Sequence, residues 1–223
     1  INSPMNPSGK VFDEAELDGL SSIVAEHDGV AICDEVYEHL VFDGRNHAPL
    51  MARPGMRERA LRIGSAGKVF SLTGWKVGWI TAAPKLLEPV AKAHQFLTFT
   101  TPPNLQAGAA YGLDKEDSYF SGLAATQQAK RDRLSSGLAR VGFDVLPSAG
   151  TYFISADFRP LGFNGTDEDF CRHITTEAKV AAVPVSAFYA GEAPRHLARF
   201  CFCKKDEVLD EAVARLARHF GGG

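Results

Sequence analysis

The sequence predicts an α/β sheet followed by a smaller α+β unit. In the first part of the chain, three short apolar runs alternate with helical patterns: 30–33, 60–63 and 77–81. Such runs are typical of strands that are buried on both faces of a helix-covered sheet. After residue 142 the pattern changes to strand pairs and single helices, which indicates an α+β unit. We therefore predict one domain over residues 1–117, and an interdomain helix with a small C-terminal domain over 118–223.

Helix signals and strand ends place polar residues at one edge of the first sheet. Asp13 and Glu16 have the spacing of a capping box and open a helical pattern that closes near residue 28. The apolar run that follows ends on Asp34, and the next run ends on the stretch 65–68. Ligands of α/β sheets bind beyond the carboxyl ends of the strands. We therefore expect chemistry at Asp34 and at 65–68.

The rest of the chain is predicted to be helical first and then mixed. A helical pattern runs from 86 to 142 with a break at Pro102-Pro103, and a strand pair follows at 143–146 and 151–154. The remaining predicted elements are a helix capped by Thr166 and Asp169, strands near Val180 and at 199–203, a helix over 208–216, and a low-complexity glycine run at 221–223.

Composition and charge exclude several classes of protein. The 223 residues are 45% hydrophobic and 23% charged, with a net charge of -3 and scattered basic residues, so we expect no nucleic-acid or membrane partner. No apolar run approaches the length of a membrane span, and we predict a soluble, cytoplasmic protein. The four cysteines form no CxxC pair and the seven histidines show no metal-ligand spacing, so we predict reduced thiols and no metal. A Gly-x-Ser-x-Gly hydrolase motif is absent.

The stretch 65–79 is the most informative part of the sequence. Small residues beside Lys68 leave room for a flat cofactor, and Lys68 follows a predicted buried strand. The Ser65 hydroxyl and the Lys76 charge are suitable partners for a phosphate group. The alternative is a solvated loop lysine among turn glycines, which would be preferred for an isolated Gly-Lys dipeptide.

The whole stretch resembles the active-site segment of the fold-type-I, class I/II aminotransferases, which depend on pyridoxal phosphate. These proteins combine Ser-x-x-Lys with Thr-Gly-Trp and then Arg or Lys, here at 65–68 and 73–76. The resemblance is closest to the kynurenine, glutamine and methionine aminotransferase branch. It implies the fold of type I transferases, with part of a large domain built on a mainly parallel sheet and a small C-terminal domain. It also implies that Lys68 is the Schiff-base lysine, and that Ser65 and Lys76 bind the phosphate.

Two further motifs carry the resemblance. Asp34 and Tyr37 match the family's Asp-x-x-Tyr, which implies that Asp34 pairs with the pyridine nitrogen and Tyr37 donates to the ring 3-oxygen. A carboxylate that keeps the ring protonated allows it to act as an electron sink. The alternative is that Asp34 caps the following turn, the commoner role of an aspartate after a strand. Residues 2–9 match Asn-x-Pro-x-Asn-Pro-x-Gly, so Asn6 is implied to bind the same oxygen, although taken alone this is a Pro-rich turn.

Candidate substrate contacts are Arg199 and Phe99. Arg199 lies in the apolar stretch 197–202, where a guanidinium is costly unless it is paired. The resemblance implies that its partner is the α-carboxylate of the substrate, and a structural ion pair is the alternative. Phe99 aligns with an aromatic residue that reaches the substrate pocket of the neighbouring subunit, and packing in a helix core is the alternative. We expect three other aromatic residues to belong to the small-domain core: Tyr152, Phe188 and Tyr189.

The resemblance implies an aminotransferase that acts on L-α-amino acids and 2-oxo acids as a homodimer. Two alternatives stay open, a cysteine-conjugate β-lyase of the same fold and a non-catalytic remnant. The resemblance begins partway through the large domain, so the N-terminal part of the family fold is expected to be missing. Because that part supplies a helix N-terminus that binds phosphate, we expect this segment alone to hold the cofactor weakly.

Overall fold

The computed structural model describes residues 1–221, and it contains two compact units. Unit 1 consists of Ile1–Pro4 and Val11–Leu123, and unit 2 consists of Met5–Lys10 and the chain from Ala124 onward. The predicted glycine run extends to Gly222 and Gly223, which lie outside the described residues. The predicted division after residue 117 stays a prediction.

Unit 1 begins with a helix whose capping box the sequence predicts. Helix α1 (Glu14–Glu26) is preceded by Asp13, whose carboxylate accepts a hydrogen bond from the Glu16 N–H at 2.9 Å. The Glu16 carboxylate accepts in return from the Asp13 N–H at 3.0 Å. These two bonds satisfy N–H groups that a helix start would otherwise leave unpaired.

The sheet of unit 1 has three strands in the order β1-β2-β3. Strands β1 (Ala31–Asp34) and β2 (Ala60–Ser65) are parallel, and β3 (Gly78–Thr81) is antiparallel to β2. A parallel bridge from Asn2 to Asp34 extends the sheet beyond β1. The pairings are therefore mainly parallel, as the family resemblance implies. The other helices that begin in unit 1 are α2 (Ala66–Val69), α3 (Pro84–Leu97), α4 (Pro103–Leu113) and α5 (Asp117–Val141).

The prediction that the apolar strands are buried on both faces is wrong for β3, where Gly78, Ile80 and Thr81 are exposed, and for β1. Ala31 and Cys33 are 5% and 1% exposed, whereas Ile32 between them is 61% exposed. Leu17 of α1 and residues such as Leu50 pack with Ala31 and Cys33 and cover that face. An apolar run shows that a strand can be covered on two sides, but it does not show whether a second layer is present.

Unit 2 contains an antiparallel sheet with the strand order β4-β5-β7-β6. Its strands are β4 (Asp144–Val145), β5 (Phe153–Asp157), β6 (Val183–Pro184) and β7 (Leu197–Cys201). The strand predicted near Val180 thus forms three residues later, after the π-helical turn Ile174–Ala178. Helices α6 (Asp167–His173) and α7 (Asp206–Phe220) complete the unit, and α6 has the predicted capping box of Thr166 and Asp169.

The core of unit 2 is built largely from aromatic rings. Phe158 stacks on Phe170 with ring centroids 4.2 Å apart, and Phe143 meets Phe170 and Phe200 edge to face. Such contacts add to the free energy gained from burial alone. All four cysteines are free thiols. Among residues 1–221, no helix is long and apolar enough to cross a membrane, and no group of three or more potential ligands could hold a metal.

Candidate functional site

Two predicted site residues end neighbouring parallel strands of unit 1. Asp34 is the last residue of β1 and Ser65 is the last residue of β2, in a register that pairs Asp34 with Ile63. Lys68 lies three residues beyond Ser65, in the short helix α2. The structure therefore brings a carboxylate, a hydroxyl and an amine to the edge of the sheet where α/β proteins bind ligands.

Asp34 is held mainly through its backbone. Its carbonyl oxygen accepts hydrogen bonds from Asn2 Nδ2 at 2.9 Å and from the Ser3 N–H at 3.2 Å. Its Oδ1 accepts from the Val36 N–H at 3.3 Å, so the turn-capping role predicted as the alternative does occur. At that distance the bond is weak, so it leaves the carboxylate able to bind a cationic partner.

Lys68 is half-buried and lies close to Tyr37. Its Nζ atom is 5.8 Å from the centroid of the Tyr37 ring, and Tyr37 is only 4% exposed. Lys68 therefore lies in a helical turn beside a buried aromatic ring. The alternative, that it is a solvated loop lysine, is wrong. The structure also brings together two residues that the sequence motifs place 31 positions apart.

The turn 73–76, which carries Lys76, is hydrogen-bonded to helix α2, which carries Lys68. Ser65 Oγ accepts from the Gly67 N–H at 3.2 Å, and Thr73 Oγ1 donates to the Gly67 carbonyl at 2.9 Å. A Cβ atom at Gly67 would lie 3.0 Å from Thr73 Cα, so glycine permits this close approach. Lys76 itself is exposed and adopts a left-handed conformation with φ 56°.

Phe99 is exposed, so the alternative that it packs in a helix core is wrong. It is 76% exposed, has φ 64° and follows α3, none of whose side chains is buried. Phe96 and Leu97 beside it are 87% and 81% exposed. A cluster of large apolar side chains at the surface is typical of an interaction site.

In unit 2, Arg199 lies in the middle of the sheet between aromatic rings. It is on β7, and its guanidinium carbon is 3.8 Å from the Phe153 ring centroid and 4.7 Å from that of Phe188. Its Nη1 donates to Asn6 Oδ1 at 2.5 Å. The rings and the amide hold the planar guanidinium in one orientation, as bidentate carboxylate binding requires.

The prediction that Phe188 and Tyr189 belong to the core is wrong. They are 41% and 51% exposed, and the Phe188 ring contacts the Arg199 guanidinium rather than the buried aromatic cluster. Tyr152 is half-buried. The sequence shows that Phe188 and Tyr189 are aromatic residues close to a strand. It does not show that Phe188 faces the Arg199 guanidinium.

A tight turn fixes the position of Asn6 in unit 2. The Met5 N–H donates to the Lys10 carbonyl at 2.8 Å, and the Ala149 N–H donates to the Gly9 carbonyl at 2.9 Å. Gly9 has φ 72°, and a Cβ atom there would lie 2.2 Å from Ser148 Oγ. The sequence gives no sign that Ser148 contacts this turn, because Ser148 stands about 140 residues away in a Pro/Gly turn.

This chain is similar to known proteins over nearly its whole length. The profile of the family described as aminotransferase class I and II matches residues 1–216. A probable N-succinyldiaminopimelate aminotransferase, DapC, from Mycobacterium tuberculosis is 45% identical over 97% of the chain and 57% of its own length. The kynurenine–oxoglutarate transaminase of Dictyostelium discoideum is 38% identical over 98% of the chain and 55% of its own length. The solved structure of N-succinyldiaminopimelate aminotransferase from Mycobacterium tuberculosis superposes with a TM-score of 0.94 at 44% identity, covering 98% of this chain and 57% of that one.

This fold is that of the fold-type-I, pyridoxal phosphate-dependent transferases. The chain belongs to the aminotransferase class I and II family. Members of this family use pyridoxal phosphate. The chain spans slightly more than half the length of the relatives it matches.

The residues of unit 1 fit this cofactor. The amine of Lys68 stands beside the buried Tyr37 ring, and Asp34 and Ser65 end adjacent strands. This donor set offers a nucleophilic amine, a carboxylate for a pyridinium nitrogen, and hydroxyl donors for the phosphate and the ring oxygen.

Proposed function

We propose that the protein containing this chain is a pyridoxal phosphate-dependent aminotransferase, which moves an amino group from an L-α-amino acid to a 2-oxo acid. The observation that carries the proposal is the position of Lys68 against Tyr37 at the edge where β1 and β2 end on Asp34 and Ser65. Family membership supports the same activity.

In this proposal each residue of unit 1 has a separate task. Lys68 Nζ is the amine that would hold the cofactor covalently; once the substrate amine has displaced it, the freed amine would accept the proton from the substrate Cα. Asp34 holds a proton on the pyridine nitrogen, and Tyr37 donates to the ring oxygen. Ser65 and Lys76 hold the phosphate. When bound, pyridoxal phosphate supplies an electron sink for the charge that develops at the substrate Cα.

The proposed substrate contacts are Arg199, Asn6 and Phe99. Arg199 has a planar guanidinium braced by Phe153 and by the Asn6 amide, which suits bidentate binding of an α-carboxylate. Asn6 is proposed to contact the cofactor ring oxygen as well. Phe99 is exposed and is proposed to reach the substrate pocket of a second subunit.

Borohydride reduction followed by peptide mass spectrometry tests the covalent role directly. Reduction of the full-length protein with bound cofactor should leave a phosphopyridoxyl group on Lys68 and on no other lysine. A Lys68→Ala variant should lose the visible absorbance of the cofactor. A Lys115→Ala variant is the control, because Lys115 packs on Tyr111 at the surface. Absence of cofactor absorbance in the full-length wild type would contradict the proposal.

The relatives supply a panel of amino donors for an activity assay. N-succinyldiaminopimelate, kynurenine and methionine appear in the names of relatives that are 38 to 45% identical to this chain. We propose that at least one of them transfers its amino group to 2-oxoglutarate in the presence of the full-length protein. Release of ammonia and pyruvate from a cysteine conjugate, without an acceptor oxo acid, would favour a β-lyase instead.

We also propose a cytoplasmic homodimer. Four free thiols suit a reducing compartment. The exposed side chains of Phe96, Leu97 and Phe99 suit burial against a second copy. Sedimentation of the full-length protein should give a dimer, and a Phe96→Glu variant should shift it toward monomer, whereas Glu88→Gln on the same helix should not. A fluorescent fusion would report the location.

A further inference from the structure

A buried acid stands directly beside the proposed cofactor residues without a role in the proposed reaction. Glu35 follows Asp34 and precedes Tyr37 by two positions, yet its side chain is not among the proposed cofactor contacts. It is only 3% exposed. A carboxylate is costly to bury unless it is paired, so its partners indicate what it does.

The partners of Glu35 lie on other segments of unit 1. Glu35 Oε2 accepts from Arg62 Nε at 2.6 Å and is 3.0 Å from His47 Nε2. The backbone N–H of Glu35 donates to the Ile63 carbonyl at 3.0 Å. Both the side chain and the backbone of Glu35 are therefore hydrogen-bonded to β2, and the side chain also contacts His47.

Arg62 holds the same turn at a second point. Its Nη2 pairs with the Glu38 carboxylate, one residue beyond Tyr37. Arg62 also precedes Ser65 by three residues on the strand that leads into Lys68. One guanidinium thus connects both ends of the Tyr37 turn to that strand.

Stability alone gives a weak reason for such a cluster. Well-packed apolar residues often match or exceed a buried ion pair in stabilising a fold, whereas charged hydrogen bonds fix geometry. The Glu35 and Glu38 carboxylates share the Arg62 guanidinium, and Glu35 also pairs with the His47 imidazole. What the cluster supplies is a fixed spacing between the Asp34–Tyr37 turn and β2.

We propose that Glu35 is a positioning residue, whose carboxylate fixes the turn carrying Asp34 and Tyr37 against the strand that leads into Ser65 and Lys68. This inference rests on the proposed function. Glu35 touches neither cofactor nor substrate in it, and acts through Asp34 and Tyr37. Its loss therefore weakens cofactor binding and leaves recognition of the substrate carboxylate by Arg199 largely unchanged.

A Glu35→Gln variant of the full-length protein tests the inference. Gln keeps the shape but removes the charge that holds Arg62 and His47. We expect the Kd for pyridoxal phosphate to rise about tenfold, as is common when a residue that orients a ligand-binding group is lost. The circular dichroism of the bound cofactor should change, while KM for the amino donor stays within about twofold at saturating cofactor. Glu58→Gln is the control and should leave all three quantities unchanged, because Glu58 forms an exposed ion pair with Lys85 outside this cluster.

A second variant separates positioning from stability. In Glu35→Gln/Arg62→Gln both members of the Glu35–Arg62 pair are neutral, so no half-buried guanidinium is left against an uncharged amide and the melting temperature should recover toward that of the wild type. Positioning predicts that cofactor affinity and the dichroism stay altered. Joint recovery of stability and affinity, or wild-type cofactor binding by Glu35→Gln, would overturn the inference while leaving the proposed function intact. A wild-type protein that binds no cofactor would overturn both.

Discussion

At the residue scale, the carboxylate of Asp34 has two partners to serve. It caps its own turn through a 3.3 Å bond to the Val36 N–H and is proposed to hold a proton on the cofactor. Asn keeps the capping oxygen but carries no charge. The two roles can therefore be separated by a single substitution.

Asp34→Asn should lower kcat about a hundredfold or more, in the range that loss of a positioned proton-holding group causes, with little change in melting temperature. Steady-state kinetics and thermal unfolding of the full-length protein measure both quantities. Asp114→Asn, at an exposed loop position, is the control. Near-normal kcat together with an unchanged melting temperature would show that Asp34 serves mainly as a turn cap, a role that Asn can also fill.

Arg199→Lys distinguishes substrate binding from structural pairing. Lys keeps the charge but cannot bind a carboxylate with two parallel bonds, so KM for the amino donor should rise about tenfold or more. Cofactor affinity should stay near that of the wild type. If Arg199 serves structure instead, the melting temperature falls and KM does not change.

At the scale of elements, the turn 5–10 shows how backbone geometry places a side chain. Gly9 adopts φ 72°, and a Cβ atom at this position would collide with Ser148. The same contact fixes the turn on which Asn6 approaches Arg199. The conformation of the turn and the site of Asn6 are thus coupled.

Gly9→Ala should destabilise unit 2 by about 1 to 3 kcal/mol, because it adds backbone strain and a steric clash. Gly44→Ala is the matched control, since Gly44 has φ 69° but open space around its Cβ position. The difference between the two variants in urea unfolding isolates the clash with Ser148. Equal losses would show that the contact does not constrain the turn.

Local sequence signals predicted the helices and strands better than they predicted which residues pack against them. The capping boxes at Asp13 and Thr166 depend on neighbours three residues away, so the sequence alone revealed them. The exposure of Ile32 depends on which segments pack over the sheet, and the contact of Phe188 with Arg199 depends on how the turn 185–188 lies against β7. Motif spacing correctly placed Lys68 just beyond the end of a strand. Its proximity to Tyr37 could be seen only in the folded structure.

At the scale of the whole molecule, each of the two units contains a buried cysteine. Burial raises the pKa of the Cys33 thiol in unit 1 to about 11 and that of Cys171 in unit 2 to about 12. At pH 8 the Cys33 thiol is therefore almost entirely protonated, whereas the thiolate is the form that reacts. Both cysteines are therefore protected from alkylation until their own unit unfolds.

Pulsed alkylation of residues 1–223 in increasing urea, with mass spectrometry of each cysteine peptide, should show Cys33 reacting at lower urea than Cys171. The physical reason is burial: Ile32 is 61% exposed on the sheet of unit 1 and α3 buries no side chain, whereas Ile154 and Phe170 of unit 2 are fully buried. Less apolar burial gives a smaller free energy of unfolding. Simultaneous loss of protection would show that the two units unfold as one cooperative structure, and earlier reaction of Cys171 would contradict the order expected from burial.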